Sequence, residues 1–205
     1  MHPKQSSSAT RLHYLASLYE HSNGYFIPRE DEQAIRQAKG ASLYGEITQS
    51  SLARLIKYLK LTPRDVFYDL GSGLGKVVLQ VAMTTKIHSA TGIELSHIRH
   101  LYAGTALHKV KEARYLATTQ CKFIHGDILK EPLPGASIIY TCSTAFSQKL
   151  MAALSKRLRS ILAPGTRIVS LQDFNDHKQL ELVDVLKLEM TWDKKCPVHI
   201  YEIRS

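Results

Sequence analysis

Three carboxylates stand just behind short apolar runs: Asp69, Glu94 and Asp127. The first opens the stretch Asp69-Leu70-Gly71-Ser72-Gly73-Leu74-Gly75, which lies between the apolar run Val66–Leu70 and a helix-periodic segment starting at Lys76. Glycines let a backbone turn tightly and let a ligand approach main-chain atoms. The spacing is Gly-x-Gly-x-Gly, which differs from the Gly-x-Gly-x-x-Gly of a dinucleotide fold, and the Gly-Lys-Ser/Thr of a phosphate loop is missing. A carboxylate ahead of the first glycine suits a cationic ammonium and opposes a phosphate. Glu94 ends the next apolar run, where a carboxylate accepts from two ribose hydroxyls. Asp127, in Gly126-Asp127-Ile128, ends a third run and can accept from an adenine amino group. The set predicts a ligand with an amino-acid end, a ribose and an adenine.

For these carboxylates to meet, their runs must be strands of one sheet. Thr48 caps a helix with Leu52, Leu55, Ile56 and Leu59 on one face, and Pro63 follows its end. Strands are expected at Val66–Leu70, Ala90–Leu95, Lys122–Leu129, Ala136–Cys142 and Thr166–Leu171. Helices fall between them: Lys76–Thr85, a Ser96-capped helix to about Leu116, and one from Ser147 with Leu150, Leu154, Leu158 and Ile161 on a stripe, stopped by Pro164-Gly165. Leu182–Met190 and Val198–Ile203 alternate as a closing antiparallel pair. Alternating strands and helices predict an α/β fold with a Rossmann-like, mainly parallel seven-stranded sheet. Ligands in such sheets bind beyond the carboxyl ends of the strands. Residues 1–47 read as an N-terminal helical segment with a covering loop, and residues 48–205 as the sheet domain.

Composition narrows the class. The 205 residues suit one domain, and 44% hydrophobic residues suffice for its core. No apolar run is long enough to span a membrane. Met1–Thr10 is polar and lacks the apolar stretch of a secretory signal, so an intracellular protein is expected. Cys121, Cys142 and Cys196 form no Cys-x-x-Cys pair, so they read as reduced thiols. His97 and His100 lie one turn apart with no third ligand in view, so they read as surface residues and no metal is expected. The net charge of +9 favours an acidic partner such as nucleic acid, a nucleosome or an anionic membrane surface. Its basic residues are scattered, and Lys156, Arg157 and Arg159 read as a solvated helix face.

The glycine loop with its three carboxylates resembles the class I S-adenosylmethionine-dependent methyltransferases. The flanking residues sharpen this: Leu43-Tyr44-Gly45-Glu46, then Phe67-Tyr68-Asp69 through Val77-Val78-Leu79-Gln80, Gly92-Ile93-Glu94, Gly126-Asp127-Ile128-Leu129, Ala145-Phe146, Arg167-Ile168-Val169-Ser170 and Trp192. The series is similar to the disruptor-of-telomeric-silencing (DOT) type of non-SET histone lysine methyltransferase, from about Leu43 to the C-terminus. That resemblance implies methyl transfer from S-adenosyl-L-methionine to a nucleosomal histone lysine, leaving S-adenosyl-L-homocysteine. It implies that Tyr44, Gly45 and Glu46 fold over the cofactor. Asp69, Leu70, Gly71, Ser72, Gly73, Gly75 and Lys76 would form its methionine end. Glu94 and Leu95 would take the ribose, and Asp127 and Ile128 the adenine. Trp192, Phe146 and Tyr201 would wall the acceptor channel, with Ser143 at the junction of both sites.

The chain departs from the family pattern in places. Cys142-Ser143-Thr144-Ala145-Phe146 stands where the family carries Asn-Asn-Phe-Ala-Phe. Ile47 replaces a threonine and Lys76 a glutamine, and the family's long basic tail is absent. Lysine methylation of a non-histone protein therefore stays open, as do an RNA methyltransferase and a non-catalytic cofactor-binding module. Methylation of base amines is disfavoured, because Thr141-Cys142-Ser143-Thr144 stands where an Asn/Asp-Pro-Pro-Tyr tetrad is needed. The expected partners are a protein bearing the acceptor lysine and DNA touched through the basic surface, with the enzyme a monomer. In a microbe, so small a chromatin-type chain would suit delivery to a host cell.

Overall fold

The computed structural model describes residues 7–20, 24–37, 45–118, 120–174 and 180–204. Helices α1 (Ser8–Ser17) and α2 (Arg29–Gln37) precede α3 (Gln49–Leu59). Then come β1 (Val66–Leu70), α4 (Lys76–Thr84), β2 (Ser89–Glu94), α5 (His97–Glu112), β3 (Gln120–His125) and β4 (Ile138–Thr141). The chain ends with α6 (Gln148–Ile161), β5 (Arg167–Ser170), β6 (Leu180–Leu188) and β7 (Cys196–Ile203). One seven-stranded sheet runs in the order β3-β2-β1-β4-β5-β7-β6. All pairs among β1 to β5 are parallel, and β7 runs antiparallel to both β5 and β6. The sheet is thus the mainly parallel, Rossmann-like one that the strand–helix alternation predicts.

The helices begin where short polar side chains meet orphan amides. Thr48, Ser96 and Ser147 each accept from the backbone N–H three residues on, at Ser51, Arg99 and Leu150. Each such cap stabilises by about 1 kcal/mol. The pleat divides the sheet's side chains between two cores. Phe67, Tyr140 and Val169 pack toward α3, α4 and α5, through residues such as Leu55, Val78, Leu79 and Val110. Tyr68, Leu70, Ile93 and Ile139 pack toward α6, through Leu150, Leu154 and Leu158. Leu154 and Leu158 have no exposed surface, and each contributes roughly 1.5–3 kcal/mol by burial.

Most boundaries shift by one or two residues from the sequence expectation, and two fall four residues short of it. β3 stops at His125, four residues before Leu129, because Asp127 folds the next residues into a turn. Its Oδ1 accepts from the Leu129 N–H, and its carbonyl accepts from Lys130 and Glu131. A short polar side chain here outcompetes the strand ladder for its own backbone. α5 stops at Glu112 rather than near Leu116, because Arg114 adopts a left-handed conformation with φ of 56°.

The chain leaves β1 in one direction toward β2 and β3, and returns to β4 on the other side. That reversal splits the loops after β1 and β4 and opens a crevice at their carboxyl ends.

Candidate active site

A cavity of about 290 Å³ fills this crevice. Gly71, Gly73, Glu94, Leu95, Asp127 and Ile128 line it from the first three strand ends, and Cys142, Thr144, Ala145 and Phe146 from the fourth. Gly45, Trp192, Tyr25, Ile35 and Arg99 complete its lining from outside the strand ends. A smaller recess of about 40 Å³ shares Gly45, Gly71, Gly73 and Cys142 with it and adds Glu46, Asp69, Ser72, Lys76 and Tyr140.

The three carboxylates sit in three electrostatic settings. Glu94 is buried, and its oxygens accept from Gly73 N–H and Ser96 N–H, both at 2.8 Å. Each oxygen keeps a lone pair for a further donor. Asp127 gives Oδ1 to the Leu129 N–H at 2.8 Å, and Oδ2 lies 3.2 Å from the Lys130 ammonium. Asp69 is different: it is only 2% exposed, and its Oδ1 has no hydrogen-bond partner among the described residues. Burial first, and then the neighbouring Glu94 charge, push its carboxyl well above the ordinary range. An orphaned buried carboxylate is costly unless something absent from the protein supplies the donor. A cationic amine is the natural complement.

The glycine loop holds these groups through its own backbone. Gly71 N–H and Ser72 N–H both donate to the Ile93 carbonyl, at 2.9 and 3.0 Å, which ties the loop to the end of β2. Gly71 has φ of 84°, and a Cβ there would press on the Phe146 ring at 3.3 Å. Behind the loop, Lys76 pairs with Glu46 at 2.6 Å and lies 4.9 Å from the centre of the Tyr19 ring.

The N-terminal segment reaches the cavity through two clamps on α5. Arg99 donates from Nε and Nη2 to the Gly24 carbonyl, at 3.0 and 2.8 Å. Asp31 Oδ2 accepts from the Ser96 hydroxyl at 2.6 Å and from the Ile98 N–H at 2.9 Å. A carboxylate at a helix N-terminus is favoured by the orphan amides and the helix dipole. Tyr25 and Ile35 thereby come to the cavity wall. Sequence reading misses Arg99, Asp31, Tyr25 and Ile35, because the pairings span more than sixty positions and involve ordinary surface residue types.

The family model for histone methylation protein DOT1 matches residues 27–189. The chain belongs to the DOT1 family. A Caenorhabditis elegans relative, "Histone-lysine N-methyltransferase, H3 lysine-79 specific", is 33% identical over 66% of this chain. A Debaryomyces hansenii relative of the same name is 27% identical over 84% of this chain. The chain spans 15% of the length of each. Among solved structures, a Salinibacter ruber RNA methyltransferase in complex with S-adenosyl-L-homocysteine superposes with a TM-score of 0.61 at 23% identity, covering 77% of this chain and 93% of that one. Magnesium protoporphyrin IX methyltransferase from Synechocystis, with bound S-adenosylmethionine, gives 0.58 at 13% identity over 98% and 93%. These likenesses show the class I methyltransferase fold.

Most residues singled out by the DOT1 resemblance meet in or beside the two cavities; some do not. Tyr201 does not reach the acceptor side. It is fully buried in β7, where its hydroxyl lies 2.7 Å from Asp173 Oδ1 and 3.3 Å from the Phe174 N–H. The alternation of β7 turns it into the α6-side core. Ser143 is also fully buried. Its hydroxyl lies 2.9 Å from that of Ser170 and accepts from the Gln172 N–H at 2.9 Å, so it fastens the loop after β4 from behind. Its neighbours Cys142 and Thr144 are the ones that face the cavity. Leu70 is a core residue whose carbonyl accepts from the Thr141 hydroxyl at 2.9 Å. Gly75 serves packing: a Cβ there would collide with Phe123 and Ala103. Tyr44 lies outside the described residues. Trp192, 44% exposed, stands at the rim with its ring against Gly45.

His97 is exposed and His100 partly so, and the fold adds a third imidazole beside them. His125, at the end of β3, brings its ring centre within 5.1 Å of that of His97 and 5.6 Å of that of His100. Burial, then His125 and His97, lower the His100 pKa. Sequence reading left the pair without a third member because β3 and α5 meet only in the fold. No His, Cys, Asp or Glu group suited to a metal is present among the described residues.

Proposed function

We propose that this DOT1-family chain is an S-adenosyl-L-methionine-dependent protein-lysine N-methyltransferase acting on a histone lysine in the nucleosome. The observation that carries the reading is the orphaned Asp69 carboxylate at the head of the glycine loop, in a recess that shares Gly45, Gly71, Gly73 and Cys142 with the larger cavity lined by Glu94 and Asp127. Its relatives' names specify histone H3 lysine 79, and that lysine is the first acceptor to test.

When bound, the cofactor supplies a methyl group already activated on a sulfonium. Asp69 would take the ammonium of its amino-acid end, and Glu94 the ribose hydroxyls through its spare lone pairs. Asp127 would receive the adenine amino group, with Leu95 and Ile128 as apolar flanks. The protein's remaining task is to position the acceptor and strip its proton. A lysine has a reference pKa of ~10.4. An apolar channel beside a positive sulfonium lowers that value by desolvation and like charge. Trp192, Phe146 and Ala145 offer such walls. Cys142 adds a neutral one: burial, then Asp69, push its thiol pKa up to about 12, so it stays protonated. The net charge of +9 would add salt-sensitive affinity for nucleosomal DNA. A nuclear monomer is the form in which we expect it to act.

The test is a radiolabelled methyl-transfer assay offering intact nucleosomes, free histones and a cell lysate in parallel. Label on nucleosomal H3, lost in Asp69→Ala and Glu94→Ala, is the expected result. Label confined to a non-histone lysate protein would transfer the reading to another lysine substrate. One observation favours that second reading: a thiol and a buried hydroxyl, Cys142 and Ser143, stand where the family carries two amides.

A further inference from the structure

Besides Asp69, the small recess is lined by two residues whose buried hydroxyls are unpartnered among the described residues, namely Ser72 and Tyr140. Tyr140, on β4, is 1% exposed, and its hydroxyl has no hydrogen-bond partner among the described residues. A buried hydroxyl without a partner costs free energy, which a phenylalanine at the same place would avoid. Tyr140 and Asp69 are register partners on adjacent parallel strands. Paired residues on neighbouring strands lie about 4.8 Å apart and project to the same face. Both line the same recess of about 40 Å³. That is room for a single small polar group, since a water molecule takes ~30 Å³ in the liquid.

We propose that the Tyr140 phenol is a second ligand, beside Asp69, for the ammonium of the cofactor's amino-acid end. This rests on the S-adenosylmethionine reading given above. An ammonium has three N–H donors, and Asp69 and Tyr140, each with an unpartnered acceptor, are register partners that both line the recess it would fill. Asp69 Oδ1 would take one, and Tyr140 Oη another. Burial first, then Cys142 and Asp69, keep the phenol protonated, so it offers a lone pair without bringing a further charge into the recess. Among the other polar groups there, the buried Ser72 hydroxyl also has no partner among the described residues and lies toward Gly92, where an added Cβ would come within 2.6 Å of it. Lys76 and Glu46 hold each other, and the Cys142 thiol donates to the Gly45 carbonyl at 3.3 Å. Tyr140 is therefore a specificity-determining residue for ligands that carry the amino-acid moiety.

Calorimetric titration of wild type and Tyr140→Phe with two probes tests this. S-adenosyl-L-homocysteine carries the amino-acid end; 5′-methylthioadenosine lacks it. The expected result is a Kd for S-adenosyl-L-homocysteine about 3- to 10-fold higher in Tyr140→Phe, the loss of one hydrogen bond, with the 5′-methylthioadenosine Kd unchanged. The melting temperature of the unliganded variant should equal or exceed that of wild type, showing that the fold is kept. An unchanged S-adenosyl-L-homocysteine Kd overturns the proposal: the recess then holds only water or space. Equal weakening of both probes also overturns it, because the phenol would then act through the shape of the sheet. Wild type that binds neither probe would sink the cofactor reading itself, a result distinct from both.

Discussion

Gly45 and Trp192 illustrate how single residues set this site. Gly45 carries no left-handed strain, yet a Cβ on it would overlap the Trp192 ring. Gly45→Ala must therefore push the indole out of the cavity wall. The ring is 44% exposed and can move into solvent, so the stability loss should stay within about 1 kcal/mol. Acceptor turnover should fall at least ~10-fold, since a displaced wall no longer orients the lysine. Trp192 is the chain's one tryptophan, so its emission reports the displacement directly as a red shift. An unshifted spectrum with full activity would mean that the indole does not wall the channel. At this scale the sequence was informative about charge and poor about direction. Asp69, Glu94 and Asp127 stood out because a carboxylate behind an apolar run has few structural uses. Tyr201 did not come to the cavity, because one step of the pleat decides which core a side chain enters, and Ser143 sits in the turn after β4, where Ser170 and Gln172 hold its hydroxyl. Cys142, one residue from Ser143, lines the cavity instead.

Among the elements, α2 is tied to α5 through Asp31. Asp31 reaches from its first turn to the Ser96 hydroxyl and the Ile98 N–H, capping α5 from outside. Asp31→Ala should cost about 1–2 kcal/mol in urea unfolding, the usual range for a lost cap. It should also weaken binding of S-adenosyl-L-homocysteine, because Tyr25 and Ile35 reach the cavity on the segment that this contact helps to hold. Glu30→Ala, one residue away on the exposed face, is the control and should leave both quantities unchanged. Equal effects of the two variants would exclude the clamp. The local elements were largely legible beforehand. β1 spans Val66–Leu70 as expected, and Thr48, Ser96 and Ser147 cap their helices as expected, since both features are written within a few residues. The docking of α2 was not legible, because Asp31 and Ser96 are sixty-five positions apart and nothing local marks their pairing.

The whole molecule carries its binding site at the expense of its own stability. Asp69 is buried beside Glu94, and its carboxyl titrates well above the ordinary range. A carboxyl with a raised folded-state pKa binds its proton more tightly when folded than when unfolded. Its contribution to stability is thus present at low pH and is lost as pH rises through the folded pKa. The unliganded protein should accordingly lose stability as pH rises beyond the usual carboxylate range. Asp69→Asn removes the titrating group, so the variant should melt higher than wild type near pH 8 and show a flatter pH dependence. The same substitution should abolish detectable binding of S-adenosyl-L-homocysteine. Ligand should have the opposite pH effect on wild type. The ionised carboxylate is the form that receives an ammonium, so the melting-point increase on adding S-adenosyl-L-homocysteine should grow as pH rises, up to where the ligand's own amine deprotonates. Thermal unfolding of both proteins at several pH values, with and without the ligand, measures all of this. A wild type whose unliganded stability is flat with pH, or an Asp69→Asn variant less stable than wild type near pH 8, would show that the carboxylate finds its partner inside the protein rather than in the cofactor.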